Sequence, residues 1–337
     1  MRIIIDGMGG DNAPAAVVEG AVLASKLINH EIIIVGDKTA VEGELSKLGH
    51  NSDKITLVHA SERITNDDAP VKAVRNKKDS SMVVGLGMLK DGKGDVFISG
   101  GNTGAIMAGG LFILGRIQGI DRPAIASVYP ILGHSVSLLV DAGANTECKP
   151  NNLLEFATMG SIYMEKVLKR KTPSVGLVNI GTEESKGTTV LKAAYELLAK
   201  SDMNFVGNVE AREVPKGACD VIVCDGFVGN VILKLTEGLA WNIFKLVKSK
   251  FTSGAAAKVG AVLLSGKMKE LKKEFDYSEY GGAPILGVKG PVVKMHGSSG
   301  ANGVKNTILK AIPFAEENVV SIIQNSVVEI EEILISE

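Results

Sequence analysis

The sequence predicts a layered α/β protein: a doubly wound sheet of parallel strands covered by helices. Three observations predict it. β-Branched runs alternate with helical segments from the first residues onward, in the order β-α-β-α-β. Apolar residues make up 45% of the 337 with only 4% aromatic, the Val, Ile and Ala mixture of strands buried on both faces. Glycine is abundant, at 39 residues, and suits many tight strand–helix turns.

Ile3–Ile5 is the first strand, and Pro14 suits the first turn of a helix running to about Leu27. Glu31–Val35 is a second buried strand, followed by Gly36-Asp37 and a helix to Leu48, and Ile55–Val58 a third. Between Ala60 and Ser81 the chain turns polar, with a basic run at Arg75–Lys78, and reads as a long solvated loop or a flap beside a site. Ser80–Lys90 is helical. Asp95–Ala105 then reads as a buried strand, a glycine turn and the start of a helix reaching about Leu114.

Gly115–Pro123 connects to Ala124–Tyr129 and Val136–Val140, expected to pair antiparallel across Gly133-His134. A helix covers about Leu153–Leu168, a strand Val175–Val178, and a helix runs to Ala199. Phe205–Val206 and Val221–Cys224 are strands, and Asp225–Asn230 opens a long helix to about Lys250. Tyr280–Met295 reads as two strands, and one final helix, bent at Pro313, fills the rest. No low-complexity linker divides the chain, so residues 1–337 are expected to form a single domain.

Several classes are disfavoured. A net charge of −1 argues against a nucleic-acid binder. Three cysteines argue against a disulfide framework and for a reducing compartment; Cys219 and Cys224, five apart on one expected strand, should face opposite sides. No His/Cys cluster has metal-ligand spacing, so no metal is expected. No apolar run reaches spanning length and no leader pattern opens the chain, so a cytoplasmic protein is expected.

One internal repeat stands out: Asp95–Met107 aligns without gaps on Asp220–Ile232, with Asp, Val and two glycines at identical offsets. Shared strand–turn–helix demands can produce so short a match. The alternative is two halves related by a pseudo-dyad, both turns facing one central cleft.

Five strand-end loops are rich in Gly, Asn, Asp and Thr: Asp6–Asn12, Gly100–Gly104, Asp141–Asn145, Asn179–Gly187 and Asp225–Asn230. Doubly wound folds place ligands at such ends. A dinucleotide fits poorly, because Asn12 stands where the third glycine of the fingerprint belongs and Asp11 opposes a pyrophosphate. A lone phosphate fits better, with Gly101, Asn102, Thr103 and Gly104 offering donors and Lys186 a mobile charge. Arg116 and Arg122 are rival anion binders or structural ion-pair partners. His296 is a general base, a phosphate ligand or a satisfied structural residue. No cysteine has an activating setting and no nucleophile elbow occurs.

Residues 254–275 differ in character. Val259, Leu263 and Leu264 are apolar, Lys267 and Lys272 basic, and Gly266 allows a break, as in an amphipathic basic hairpin. Such a hairpin meets a membrane or an acidic partner, or packs on its own core or a dimer partner.

Taken together, Met1–Pro14, Pro70–Arg75, Ser99–Ala105, Gly115–Pro123, Asp141–Asn145, Asn179–Gly187, Gly207–Arg212, Asp225–Asn230 and His296–Ser299 resemble the bacterial phosphate acyltransferases, the acyl-acyl carrier protein:phosphate transacylases of phospholipid synthesis. The likeness covers essentially the whole chain and departs at Gly7, where many relatives carry alanine. It implies a three-layer α/β/α mixed sheet like that of isocitrate and isopropylmalate dehydrogenases, working as a homodimer without a cofactor. It implies that inorganic phosphate attacks the thioester of a long-chain acyl group on acyl carrier protein. The acyl phosphate then passes to a membrane glycerol-3-phosphate acyltransferase, so peripheral contact with the inner face of the membrane is expected. Under this resemblance Lys186, His296, Asp225 and Asn230 are the catalytic candidates. Gly101, Asn102, Thr103, Gly104, Asp141, Asn145, Asn179, Gly181 and Thr182 are the phosphate or substrate candidates. Val259, Leu263, Leu264, Lys267 and Lys272 are the membrane or carrier contacts, and Arg75–Lys78 is a second carrier-docking candidate. A phosphotransacetylase acting on short acyl-coenzyme A, a dehydrogenase, and a membrane-recruited scaffold are the competing readings.

Overall fold

The computed structural model describes residues 1–49, 53–131, 133, 135–251, 260, 263–268, 270–271 and 280–335. Its strands are β1 (Arg2–Asp6), β2 (Glu31–Gly36), β3 (Ile55–His59), β4 (Val96–Ser99), β5 (Ala124–Ile131), β6 (Ser135–Val140), β7 (Ser174–Asn179), β8 (Asn204–Glu210), β9 (Val221–Val223), β10 (Ala283–Leu286) and β11 (Val292–Lys294). They form one sheet in the order β3-β2-β1-β4-β11-β10-β5-β6-β9-β7-β8.

Strand direction divides this sheet. β3, β2, β1, β4 and β11 are mutually parallel, as are β6, β9, β7 and β8. Between the two sets, β10 is antiparallel to β11 and β5, and β5 is antiparallel to β6. The sets therefore run in opposite directions, and only Ile285↔Ile125 and Leu286↔Ala124 pair across the joint. About an axis between β10 and β5, order and direction repeat: β11 corresponds to β6, β4 to β9, β1 to β7 and β2 to β8. β4 and β9 begin the two copies of the sequence repeat, which shared turn demands alone would not arrange.

The first strand shows why three layers form. Ile3 and Ile5 enter one buried cluster and Ile4 the other, as a period of two requires of a strand covered on both faces. One layer contains α1 (Ala15–Ser25), α2 (Lys38–Lys47), α6 (Pro150–Lys166), α7 (Thr189–Lys200) and two C-terminal helices. The other contains α3 (Pro70–Asn76), α4 (Ser81–Lys90), α5 (Thr103–Gly109) and the first turns of α8 (Gly226–Phe251).

Three expectations change. The polar stretch after Ala60 is no plain loop: Pro70 opens α3 and buries Ala73 and Val74 against α5, a pair too short to register as helical periodicity. The last helix is two, α9 (Ala301–Glu316) and α10 (Val319–Ile335); Pro313 lies within α9, and the break falls at Asn318, whose φ of 51° leaves the helical region. Cys219 and Cys224 both enter the same buried cluster, because β9 spans only Val221–Val223 and strand alternation does not reach Cys219. Both remain free thiols.

α1 meets α9 at Gly20, where a Cβ would stand 2.7 Å from the Ala301 carbonyl oxygen and closer still to the Val304 side chain. A backbone oxygen cannot step aside. In Gly20→Ala, overpacking of about 1–3 kcal/mol outweighs the roughly 1 kcal/mol that alanine gains over glycine in a helix. The urea midpoint is expected to fall, and an unchanged midpoint would show that the two helices separate freely.

Candidate functional site

The reversal of strand direction brings the carboxyl ends of both parallel sets to one cleft of about 450 Å³. Gly100, Gly101 and Thr103 enter it from the turn after β4, and Ala142 and Gly143 from the loop after β6. α8 contributes Asn230, Lys234 and Glu237, the end of β11 contributes Lys294, and the segment after it His296.

A buried carboxylate shapes the first wall. Asp6, at the end of β1, accepts hydrogen bonds from Ser81 Oγ and Ser99 Oγ, both 2.6 Å, and from the Met8 N–H at 3.1 Å. Burial pushes its pKa up, and these donors pull it back. Ser99 Oγ in turn accepts the Gly101 N–H at 3.0 Å. The Gly101 amide is thus engaged by Ser99 and does not offer the open donor expected of it.

Asn102 is likewise committed. Its Oδ1 caps α5 by accepting the Ala105 N–H at 3.1 Å, and its Nδ2 donates to the Thr65 carbonyl at 3.2 Å. Gly104 lies under the ring of Pro70, whose Cγ would be 2.7 Å from a Cβ there. Thr103 is the exposed member of this turn that lines the cleft.

The second wall hangs from Asp141, which is fully buried. Its carboxylate accepts N–H groups of Ile125, Gly143, Ala144 and Asn145 and the Asn145 side-chain amide, at 2.7–3.1 Å. Burial raises its pKa against these donors. Asn145 also donates to the Pro123 carbonyl at 2.8 Å. Both residues organise the loop; neither faces the cleft. Asp225 caps α8, its Oδ1 accepting the Val228 N–H at 2.8 Å. Beyond it, the Asn230 side chain rests against Gly143 and makes no hydrogen bond among the described residues.

The loop after β7 closes on itself. Asn179 Nδ2 donates to the Lys186 carbonyl and to Asn208 Oδ1, and the Lys186 side chain lies over Gly181, with Nζ 3.8 Å from Glu183. Thr182 is exposed. None of Asn179, Gly181, Thr182 and Lys186 lines the cleft. Arg116 bonds Asp121 as a structural pair. Residues 263–268 are helical, with Leu263 80% exposed and Lys267 2.8 Å from Glu270; Val259 and Lys272 lie outside the described residues.

Sequence reasoning missed Lys234 and Lys294. The first sits on a helix already credited with Asn230, and the second directly precedes the Met295-His296 pair. Nothing in the spacing of either lysine marks it; only the joint between strand sets brings them together. Lys234 is 2.8 Å from Glu237, whereas Lys294 donates to the Met295 carbonyl. Burial lowers the Lys294 pKa to about 8, with Lys234 pressing the same way and Asp11 opposing. Burial pushes the Cys148 and Cys219 thiols up to about 12, which removes them as thiolate nucleophiles.

His296 Nδ1 accepts the Ser298 N–H at 3.3 Å and lies 2.9 Å from Ser298 Oγ. The neutral ring therefore carries its proton on Nε2 and is a donor rather than a base. Burial lowers its pKa, and Lys234 and Lys294 press the same way, against Glu237 and Asp11.

The chain matches the family described as "Fatty acid synthesis protein" over residues 1–322. It is 56% identical over 327 residues to a phosphate acyltransferase of Alkaliphilus oremlandii, with 97% of each chain covered. It is 52% identical over 320 residues to one of Clostridioides difficile, covering 95% of this chain and 94% of that one. Its fold is similar to a phosphotransacetylase from Streptococcus pyogenes, with a TM-score of 0.64 at 19% identity over 94% of both chains. It is also similar to 4-hydroxythreonine-4-phosphate dehydrogenase from Klebsiella pneumoniae, with a TM-score of 0.54 at 9% identity over 94% of this chain and 99% of that one.

The histidine provides a direct check of the cleft's charge. Its proton-resonance titration midpoint is expected below the ordinary value of about 6.5, and Lys234→Met should move it upward. A midpoint that Lys234→Met leaves in place would show that the lysine does not act on the ring.

Proposed function

The chain belongs to the fatty acid synthesis protein family that matches it, and we propose that it transfers a long-chain fatty acyl group from acyl-acyl carrier protein to inorganic phosphate. The products are acyl phosphate and free carrier protein, for phospholipid synthesis. The full-length match to phosphate acyltransferases carries this reading, and the chemistry of the cleft accords with it.

Phosphate dianion is already a nucleophile, so the reaction needs positioning and charge stabilisation rather than a base. A phosphate oxygen bonds to the thioester carbonyl carbon, whose π electrons move to oxygen. The oxyanion then re-forms the carbonyl, and the C–S bond breaks with its electron pair on sulfur. The carrier thiolate is a fair leaving group and is protonated afterwards by water. Thr103 and the start of α5 hold phosphate on one wall. The His296 Nε2–H, from the segment after β11, and the free Asn230 amide, from α8, meet the oxyanion. Asp225, engaged as a cap, takes no proton in this scheme.

Free carrier thiol should appear from palmitoyl-acyl carrier protein only when phosphate is added, and far more slowly from palmitoyl-coenzyme A. His296→Ala should lower the rate by about 10²-fold, the scale of one oxyanion donor. Phosphate-independent release, or a preference for coenzyme A, would replace acyl transfer from the carrier with a different reaction.

The surfaces suit three partners. Lys72, Arg75 and Lys78 stand exposed on and just after α3, with Arg75 5.3 Å from the centre of the Phe112 ring, and suit an acidic carrier protein. α8 exposes Leu235, Leu239, Ile243 and Leu246 along one face, a ridge that a second copy of the chain would cover. Among the described residues no helix is long and apolar enough to cross a membrane. Leu263 and Leu264, with Lys267 beside them, suit peripheral contact at an anionic cytoplasmic surface. Leu263→Glu should reduce partitioning onto anionic vesicles about tenfold, the worth of one buried leucine. Partitioning equal to the parent protein would remove the membrane contact.

A further inference from the structure

Lys294 is the cleft residue whose situation is least explained by the protein itself. β11 places it beside Ser99, in the pairing Lys294↔Ser99, next to the strand that launches the turn after β4. Its side chain lines the cleft, and Nζ donates to the adjacent Met295 carbonyl. Among the described residues no carboxylate lies within ion-pair distance of it. Asp6 and Asp11 act on it only through space, and Asp6 is occupied by Ser81 and Ser99 and is itself pushed by burial toward its neutral form. From α8, Lys234 adds repulsion while its own charge is met by Glu237. His296, in the neighbouring segment, stays neutral more readily than a free histidine.

A partly buried ammonium without a counter-ion within ion-pair distance weakens the empty protein, and an anion entering the cleft relieves that cost. Thr103 lines the same cleft and adds a hydroxyl for such an anion, while His296 and Asn230, also in the lining, are left for the oxyanion. Lys186 has the opposite character: nearly half exposed, drawn toward Glu183 and outside the lining.

We propose that Lys294, with Lys234 beside it, is the cation that seats inorganic phosphate in the cleft, the role that loop composition suggests for Lys186. This deepens the acyl-transfer reading and rests on it for the identity of the anion. Lys294 reaches the site from β11 of one strand set and Lys234 from α8, which follows β9 of the other, so the phosphate seat spans both halves. A bound dianion holds Lys294 protonated. Phosphate binding above the lysine's own pKa, where phosphate is already dianionic, must therefore take up a proton.

The test is calorimetric titration of the full chain with inorganic phosphate alone at about pH 8.5, in two buffers of different ionisation enthalpy. The parent protein should take up a large fraction of one proton per phosphate. Lys294→Met should bind phosphate about tenfold or more weakly, the loss of one charge-assisted hydrogen bond, and take up none. Lys294→Arg should still bind but take up no proton, because guanidinium stays charged throughout; it carries the test if the methionine variant does not fold. Lys186→Met should keep the proton uptake. The proposal is overturned if the parent binds no phosphate, if folded Lys294→Met binds with parental affinity, or if Lys294→Arg retains the uptake. Failure of the acyl-transfer reading looks different: phosphate binds with its proton through Lys294, yet no carrier thiol is released when phosphate is added.

Discussion

The reversal of strand direction between β10 and β5 is the constraint on which the site depends. A parallel sheet gathers its ligand-binding turns at one edge, and two parallel sets running the same way would share a single row. Here the sets oppose each other and are joined by two residue pairs, so the turn after β4 and the loop after β6 converge on a common cleft. The repeat that begins at Asp95 and Asp220 is the trace of this arrangement in the chain. Its two copies have diverged. One presents Thr103 to the cleft, and the other places Asn230 there from the first turns of a much longer helix.

Two buried aspartates hold the walls. Asp6 couples β1 to α4 and to the turn after β4 through two serine hydroxyls. Asp141 gathers four backbone N–H groups and an asparagine amide. A buried carboxylate is tolerated when donors surround it, and in return it rigidifies everything that donates. Strand-end acids and amides are therefore poor guides to function by type alone. Asp141, Asn145, Asn179 and Asn102 all have the composition of ligand residues, and all use their polar atoms to hold loops.

The cleft is cationic because those acids are occupied elsewhere. Lys234 and Lys294 line the cleft together with one carboxylate, Glu237, which meets Lys234; Asp6 is already bonded and Asp11 acts on Lys294 only through space. His296 adds a hydrogen-bond donor rather than a charge. A small dianion and a polarised carbonyl are the species that such a setting stabilises, and with its thiols held protonated the chain lacks a competing sulfur nucleophile.

Much of this protein was legible in its sequence, because strand burial and turn chemistry are local. Strand–helix alternation identified the layered fold, and the ordered motifs identified the family. The site was half legible. Gly101, Thr103, Asn230 and His296 do reach the cleft, since glycine turns and strand ends are marked in the chain itself. Lys186 does not, and Lys294 does. A lysine's role depends on which charges surround it, and no sequence spacing records that. The sequence by itself determined the elements, the family and the repeat. Only the tertiary structure decided that the two strand sets oppose each other, which asparagines and aspartates are occupied by backbone donors, and which partly buried lysine is left without a counter-ion among the described residues. Those outcomes rest on contacts between residues distant in the chain.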